Sequence, residues 1–261
     1  MRKKKYLKNR VGERRVMNCG EECEIVEYRN VTDLIVRFIK SGELVKCKYQ
    51  HFKNGNIKSH FTPSVYGVGI VGLGDTTDTK GEMLKSYRTW QSMLQRRYSG
   101  ELHKKNPTYI GCSVCEDWKY YKNFKEWYDE NYYEISNQRM ALDKDILNKE
   151  NKIYSPNTCV FVPQNINSLF TKRQAYRGVL PIGISWRGQN QKYLAGCNVF
   201  DIESDKYKKK HLGLYNTLEE AFNTYKKVKE ENIKLVADYY KNQIPKKLYD
   251  AMCRYEVSIN D

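Results

Sequence analysis

Residues His211-Leu212-Gly213-Leu214-Tyr215-Asn216-Thr217-Leu218-Glu219-Glu220-Ala221 carry a change of period from strand to helix. Up to Tyr215 the pattern suits an extended strand. Thr217 and Glu220 then stand at capping-box spacing. A Thr hydroxyl and a Glu carboxylate so placed each satisfy a backbone N–H that a helix start leaves orphaned. Ala221, Phe222, Tyr225, Val228, Ile233 and Val236 extend the helix to about Tyr240, and Pro245 prevents simple continuation. Upstream, Ile182-Gly183-Ile184-Ser185-Trp186 and the run from Tyr193 to Val199 read as two more strands, with Gly188-Gln189-Asn190 turning between them. The expectation is a three-stranded sheet packed on one long helix.

Successive side chains of a strand face opposite sides. Ile182, Ile184 and Trp186 therefore share the core face, with Trp186 expected in the core rather than as a stacking platform, and Ser185 and Arg187 face outward. On the next strand Tyr193, Ala195, Cys197 and Val199 go inward, leaving Lys192 and Asn198 outward. Lys206, Lys208, Lys209 and Lys210 read as a basic loop, either suited to phosphate contacts or merely solvated.

In the middle of the chain Met83, Leu84, Tyr87, Trp90, Met93, Leu94 and Tyr98 recur at helical spacing, with Lys85, Arg88, Arg96 and Arg97 on the other flank. A second helix over residues 122–130 carries Phe124, Trp127 and Tyr128. The apolar runs Met140-Ala141-Leu142 and Thr158-Cys159-Val160-Phe161-Val162 make a hairpin around a long polar loop, and a helix is expected over residues 165–172. Asp143-Lys144-Asp145, Asn157, Asn165 and Asn167 cluster in this stretch. Magnesium takes oxygen ligands and keeps several waters, so a carboxylate at a strand end and an Asn amide from the following helix suit magnesium or manganese. Asp143 and Asp145 read equally as loop carboxylates in surface ion pairs. Cys112 and Cys115 have zinc-ligand spacing, but a structural site needs four ligands. Cys19 and Cys23 lie in another module, and Cys159 has no evident fourth companion. Zinc is therefore not expected.

Near the start, short strands follow Cys23, with Ser41-Gly42 and Asn54-Gly55 as turns. They suggest a small antiparallel barrel over residues 11–66. Residues 67–79, rich in Gly, Thr and Asp, read as the connection. No Gly-Lys-Ser/Thr follows the glycines, so a phosphate-binding loop is not expected. Residues 2–10 read as a floppy terminus or as a basic arm on phosphates.

Forty-six Lys plus Arg against 31 Asp plus Glu give 46 − 31 = +15 over 261 residues, a field that favours polyanions. No apolar run reaches the roughly 20 residues of a membrane span. Nor does an apolar stretch follow Met1-Arg2-Lys3-Lys4-Lys5-Tyr6 as in a signal peptide, so a cytosolic location with reduced thiols is expected. With 22 Tyr and a 40% apolar and aromatic content, most of the chain is expected to fold.

Several motifs in the middle carry a resemblance. Tyr87 to Trp90, Cys115-Glu116-Asp117-Trp118, Phe124, Trp127, Leu142-Asp143-Lys144-Asp145-Ile146 and Tyr154-Ser155-Pro156-Asn157-Thr158-Cys159-Val160-Phe161 resemble the HNH-type proteins of phages and mobile elements. The resemblance implies a ββα-metal hairpin and helix that cuts DNA. By position Asp143 matches the metal carboxylate and Asn167 is nearest to the last ligand. Lys144 stands where the general-base His belongs, and Thr158 replaces the middle Asn. None of the four His, at 51, 60, 103 and 211, lies in the motif; His103 is a substitute base only if it folds back. An unperturbed Lys, with a pKa near ~10.4, is a poor acceptor at neutral pH. Gly183-Ile184, Lys192-Tyr193-Leu194-Ala195 and the residues 211–221, with Tyr225, are similar to the Apetala-two type DNA-binding domain, which also occurs attached to homing endonucleases. Such a domain lays its sheet in the major groove. The family has several Arg on that face where Ser185 and Asn198 stand here. The N-terminal strands are similar to β modules that precede HNH-type units, on Tyr28, Phe52-x-x-Gly55 and Gly67-Val68-Gly69.

The sequence thus predicts an α+β chain of three small modules after a basic arm at 1–10: a β-barrel over 11–75, an HNH-like unit over 80–172 and an Apetala-two-like unit over 176–255. The expected partner is double-stranded DNA, not a membrane, with a nucleoprotein or host protein also open and the oligomeric state unread. The expected setting is the cytoplasm of a bacterial host, from a phage or prophage. The candidate DNA contacts are Arg88, Arg96, Arg97, Lys172, Arg173, Ser185, Arg187, Lys192, Asn198, Lys208, Lys209 and Lys210. The candidate chemistry lies at Asp143, Lys144, Asp145 and His103, with metal at Asp143 and Asn167. The central unit either nicks DNA, is an added clamp, or belongs to a non-enzymatic regulator or anti-host factor.

Overall fold

The computed structural model describes residues 9–171 and 179–261. Most of the expected arm, and Lys172 and Arg173, lie outside the described residues. The chain is a mixed α+β protein that divides into two compact units, Met1–Glu130 and Asn131–Asp261. The division falls inside the 80–172 span.

In the first unit β1 (Arg14–Val16), β2 (Glu22–Asn30), β3 (Asp33–Phe38) and β4 (Leu44–Cys47) form an antiparallel meander in chain order. Alternation sends Cys23, Ile25, Leu34, Val36 and Phe38 inward, where Met17, Phe52 and Ile57 complete the core. The expected barrel is not there. The sheet is open, with β1 and β4 as its edges; these short strands do not meet, and Phe52 and Ile57 cover the inner face instead. Phe52 sits on a helix, α1 (Tyr49–Lys53), which Asn54 and Gly55 terminate rather than turning a hairpin. Gly55 adopts φ +71° and returns its N–H to the Phe52 carbonyl at 3.0 Å, a left-handed helix end that Gly reaches without strain. Arg10, expected in the arm, stacks its guanidinium 3.9 Å from the Tyr49 ring centre and donates to Glu13 at 3.1 Å.

The glycine-rich stretch is also more than a connection. Ile70 donates to the Lys119 carbonyl at 2.8 Å and accepts from the Tyr121 N–H at 2.9 Å. Gly69 lies so close to the helix α2 (Lys85–Tyr98) that an added Cβ would be 2.5 Å from Leu94 Cδ1. After α3 (Gly100–Lys105) and the short strand β5 (Ser113–Val114) comes α4 (Tyr121–Asn131). Trp90 Nε1 donates to the Trp118 carbonyl at 2.7 Å, and the Trp118 ring packs on Trp127 with centres 4.7 Å apart. Buried indoles keep their one donor satisfied in this way.

In the second unit β6 (Met140–Asp143) pairs antiparallel with β8 (Val160–Pro163), and α5 (Gln164–Leu169) follows, so the expected ββα order is present. The loop between the strands includes β7 (Ile153–Tyr154). Strands β9 (Ile184–Arg187), β10 (Lys192–Asp201) and β11 (Lys206–Tyr215) form a sheet in the order β11-β10-β9. The helix α6 (Leu218–Tyr240) starts with the expected capping box, both of its bonds at 3.2 Å, and α7 (Lys246–Cys253) follows Pro245. Ala221, Phe222 and Tyr225 of α6 pack on Ile184, Ala195 and Cys197 of the sheet. Further along, Ile233, Val236 and Tyr240 pack with Val160, Val162 and Ile166 of the hairpin and α5. One helix therefore serves two cores.

Two expectations fail within the sheet. The lysines at 206 and 208–210 are not a loop but the first half of β11, because β10 continues to Asp201 and offers them a full ladder, Asp201↔Lys206 to Cys197↔Lys210. Trp186 is not core; it lies on the edge strand opposite Tyr193, outside the cluster that Ile184, Ala195 and Cys197 form with α6, and stays 49% exposed.

Candidate nucleic-acid interface and hairpin loop

The hairpin loop spends its polar groups on itself. Asp143 Oδ1 accepts the N–H of Asp145 at 2.9 Å and of Ile146 at 2.8 Å, closing the start of the loop. Burial, and then the neighbouring charge of Asp145, push the Asp143 carboxyl up to about 6, against the pull of those two N–H groups. Lys144, only 7% exposed, donates to Asp145 Oδ2 at 2.9 Å and to the Asn151 carbonyl at 3.1 Å, with Tyr154's ring 5.9 Å away. Asn151 answers by donating from Nδ2 to the carbonyls of Lys144, at 2.6 Å, and Ile153, at 2.8 Å. Thr158 donates to the Ile153 carbonyl at 2.7 Å. The residue in the expected His position is thus tied into the loop by the two hydrogen bonds that its amine donates.

Asn167 lies on α5, where its carbonyl accepts from the Phe170 N–H at 3.2 Å. Among the described residues no group of three His, Cys, Asp or Glu gathers as a metal site. Asp143 and Asp145, carrying like charges side by side, nevertheless fit the sparse protein ligation that magnesium accepts. His103 belongs to α3 in the first unit, where its Nε2 meets the Arg96 carbonyl at 2.8 Å, at the end of α2. Cys112 is buried, and burial pushes the Cys115 thiol up, which disfavours the thiolate a zinc ion needs.

The sheet presents a different surface. In an antiparallel ladder, opposite residues share a face. The pairs Lys192↔Arg187, Leu194↔Ser185, Leu194↔Leu214, Gly196↔His211 and Asn198↔Lys209 therefore define one side, which ends at Phe200↔Tyr207, where Phe200 is buried against α5 and α6 and the Tyr207 hydroxyl donates to the Asn165 carbonyl at 3.1 Å. It carries Arg187, Lys192 and Lys209, with no Asp or Glu in any of these rows. Ser185, Arg187, Asn198, Lys209 and His211 are exposed. Lys208 and Lys210 pair with Val199 and Cys197 and so belong to the other side of the pleat, where Lys208 is bonded to Asp201. That bond, first, holds the Asp201 carboxyl below its ordinary value. In the first unit Arg88 is exposed, while Arg96 and Arg97 lie 5.6 and 5.3 Å from the ring centres of Tyr109 and Tyr98.

His211 and Asn151 were not among the sequence candidates. Starting β11 at Lys206 would have exposed His211 by period two. Asn151 left no signal, because its role depends on the loop closing on Lys144. Compared with known proteins, the chain matches no family model, no curated protein and no solved structure.

Proposed function

We propose that this chain is a phage- or prophage-encoded DNA-binding protein of the HNH homing-endonuclease type. In this reading it acts in the host cytoplasm and grips double-stranded DNA with the outer side of the β9–β11 sheet. The observation that carries the reading is the array of Arg187, Lys192 and Lys209 around Ser185 and Asn198, free of carboxylates in a chain of net charge +15. The major groove admits a sheet or ribbon and offers donors and acceptors that Ser and Asn can read; the cations would meet the flanking phosphates. The test is a gel shift on duplex DNA across a salt series, with the triple variant Arg187→Ala, Lys192→Ala, Lys209→Ala. Wild-type affinity should fall steeply with salt, and the triple variant should lose most of that dependence. Equal affinity of both proteins would overturn the assignment, and a preference for RNA in direct competition would redirect it.

A second reading, phosphodiester cleavage, is favoured by the raised Asp143 carboxyl beside Asp145, a repulsion that a divalent cation would relieve. Asp143 would hold magnesium or manganese with the Asn167 amide oxygen. The chemistry such an ion supplies when bound is stabilisation of charge on the leaving oxygen. Asp143 and Asp145 contribute charge, while Lys144 holds the loop through its bonds to Asp145 and the Asn151 carbonyl. Metal-dependent strand breaks on supercoiled DNA, lost in Asp143→Ala, support this reading. Binding without breaks in magnesium, manganese or chelator makes the protein a non-enzymatic regulator or anti-host factor that keeps the hairpin as a scaffold.

A further inference from the structure

A cavity of about 390 Å3 lies in the second unit between the sheet, α6 and the end of α5, within the ~300–1,000 Å3 range of small-ligand sites. Its walls include Gly183, Cys197, Asn198, Lys209, Tyr225 and Lys229, and none of its lining residues is Asp or Glu. Lys229 is half-buried on α6, where among the described residues the Cys197 thiol acts on its ammonium, while Asp261 lines the adjoining pocket with it. Its neighbours one helical turn away are Tyr225, Lys226, Asn232 and Ile233, again without a carboxylate. A cation withdrawn from water is costly unless it is paired, and here burial holds the Lys229 ammonium below the ordinary lysine value. Lys209, also in the lining, adds a second positive group. One wall is fixed by close packing: Gly183 has φ +81°, and a Cβ there would be 2.1 Å from the Tyr225 ring.

We propose that this cavity binds a phosphate group, held between Lys229 of α6 and Lys209 of β11, with room for a molecule the size of a mononucleotide. The phosphate comes either from a free nucleotide or from a nucleic-acid backbone. Lys209 and Asn198 line this cavity and also stand in the Asn198↔Lys209 row of the outer side, so the two sites meet there, and Lys229, absent from the paired rows, is the residue that tests the cavity by itself.

The test uses the full chain, titrated with inorganic phosphate and with dAMP against chloride at matched ionic strength, by calorimetry and thermal unfolding. Lys229→Met removes the charge and keeps the stem; Lys227→Met, exposed on the same helix, is the control. Phosphate should raise the wild-type and Lys227→Met midpoints, and Lys229→Met should bind at least tenfold more weakly. In chloride alone Lys229→Met should unfold no earlier than wild type; should it fail to fold, Lys229→Gln repeats the comparison. No difference between phosphate and chloride for wild type, or undiminished phosphate binding by the folded variant, overturns the site. If the phosphate comes from DNA, Lys229→Met also lowers the salt slope of duplex binding by about 1 and free phosphate competes with duplex. If it comes from a nucleotide, dAMP binding is lost and duplex binding is unchanged. Phosphate binding in a protein that ignores duplex DNA would remove the DNA reading and leave the cavity.

Discussion

The hairpin loop and the outer side of the sheet, both in the second unit, use polar residues in opposite ways. In the loop Asp143, Lys144, Asn151 and Thr158 bond to one another or to nearby backbone, and Lys144 is nearly sealed from solvent. On the sheet Arg187, Asn198 and Lys209 stand in water, on strands whose backbone already makes its ladder bonds. A group already bonded internally must break that bond to act, whereas a solvated one exchanges water for a partner. Chemistry-bearing residue types are therefore a weaker guide to function here than the state of their bonds. Mutations separate the two cases because they move different observables.

The largest effect is expected at Lys144. Lys144→Met keeps the stem but leaves the Asn151 carbonyl and Asp145 without their donor. Bonds to charged groups contribute about 1.5–3 kcal/mol each, so a loss of about 3 kcal/mol in urea unfolding is expected, with the salt dependence of DNA binding intact. If stability barely changes while DNA binding or cleavage disappears, the lysine is a functional group and the contrast collapses.

The triple variant Arg187→Ala, Lys192→Ala, Lys209→Ala should do the reverse. Solvated side chains away from special features usually change stability within about 0.5 kcal/mol each. The duplex salt slope should drop by about 3, one unit for each phosphate contact. A triple variant that unfolds early would mean that the cations hold the sheet together.

Asp143→Asn sharpens the comparison through pH. The folded carboxyl is raised to about 6, against about 3.9 in an unfolded chain. Between those values the folded state holds more protons, so wild-type stability falls as pH rises through that window. Asn keeps the Oδ1 acceptor for the N–H groups of Asp145 and Ile146 and carries no charge. The variant should be about 1 kcal/mol more stable than wild type at pH 7, a value discounted for partial exposure, and equal to it below about pH 4. Added magnesium that raises the wild-type midpoint and not that of Asp143→Asn would place a cation at the loop.

Periodicity and caps were legible in the sequence because they are local. Thr217 and Glu220 announced α6, and alternation sorted Ser185, Arg187 and Asn198 from Ala195 and Cys197. What escaped depended on distant partners. The lysines of β11 read as a loop because an edge strand of solvated Lys looks like one until β10 is known to reach Asp201. Asn54-Gly55 reads equally well as a hairpin turn or a helix end, and the packing of Phe52 decides it. Trp186 shares the core face by period, but it lies outside the cluster that Ile184, Ala195 and Cys197 form with α6. Lys144 was identified by position alone, while its bonds come from the closure of a loop that no local pattern encodes.

The smallest effect, and the finest division within the sheet, is expected at Asn198. Its strand is held on one side by the β11 ladder and on the other by Asn232, whose Nδ2 donates to the Asn198 carbonyl at 3.4 Å while its Oδ1 accepts the Phe200 N–H at 2.8 Å. Asn232 is itself buried on α6, so the amide of Asn198 projects from a rigid place beside Lys209. An amide held this way can meet an adenine edge with a donor and an acceptor together, which discriminates by about 1–3 kcal/mol. Being uncharged, it adds nothing to counterion release. Asn198→Ala should therefore leave stability and the salt slope alone, yet narrow the gap between the best and the average duplex in a competition selection. An unchanged selection profile would make the sheet a holder of phosphates and move base recognition to Ser185 or off this surface.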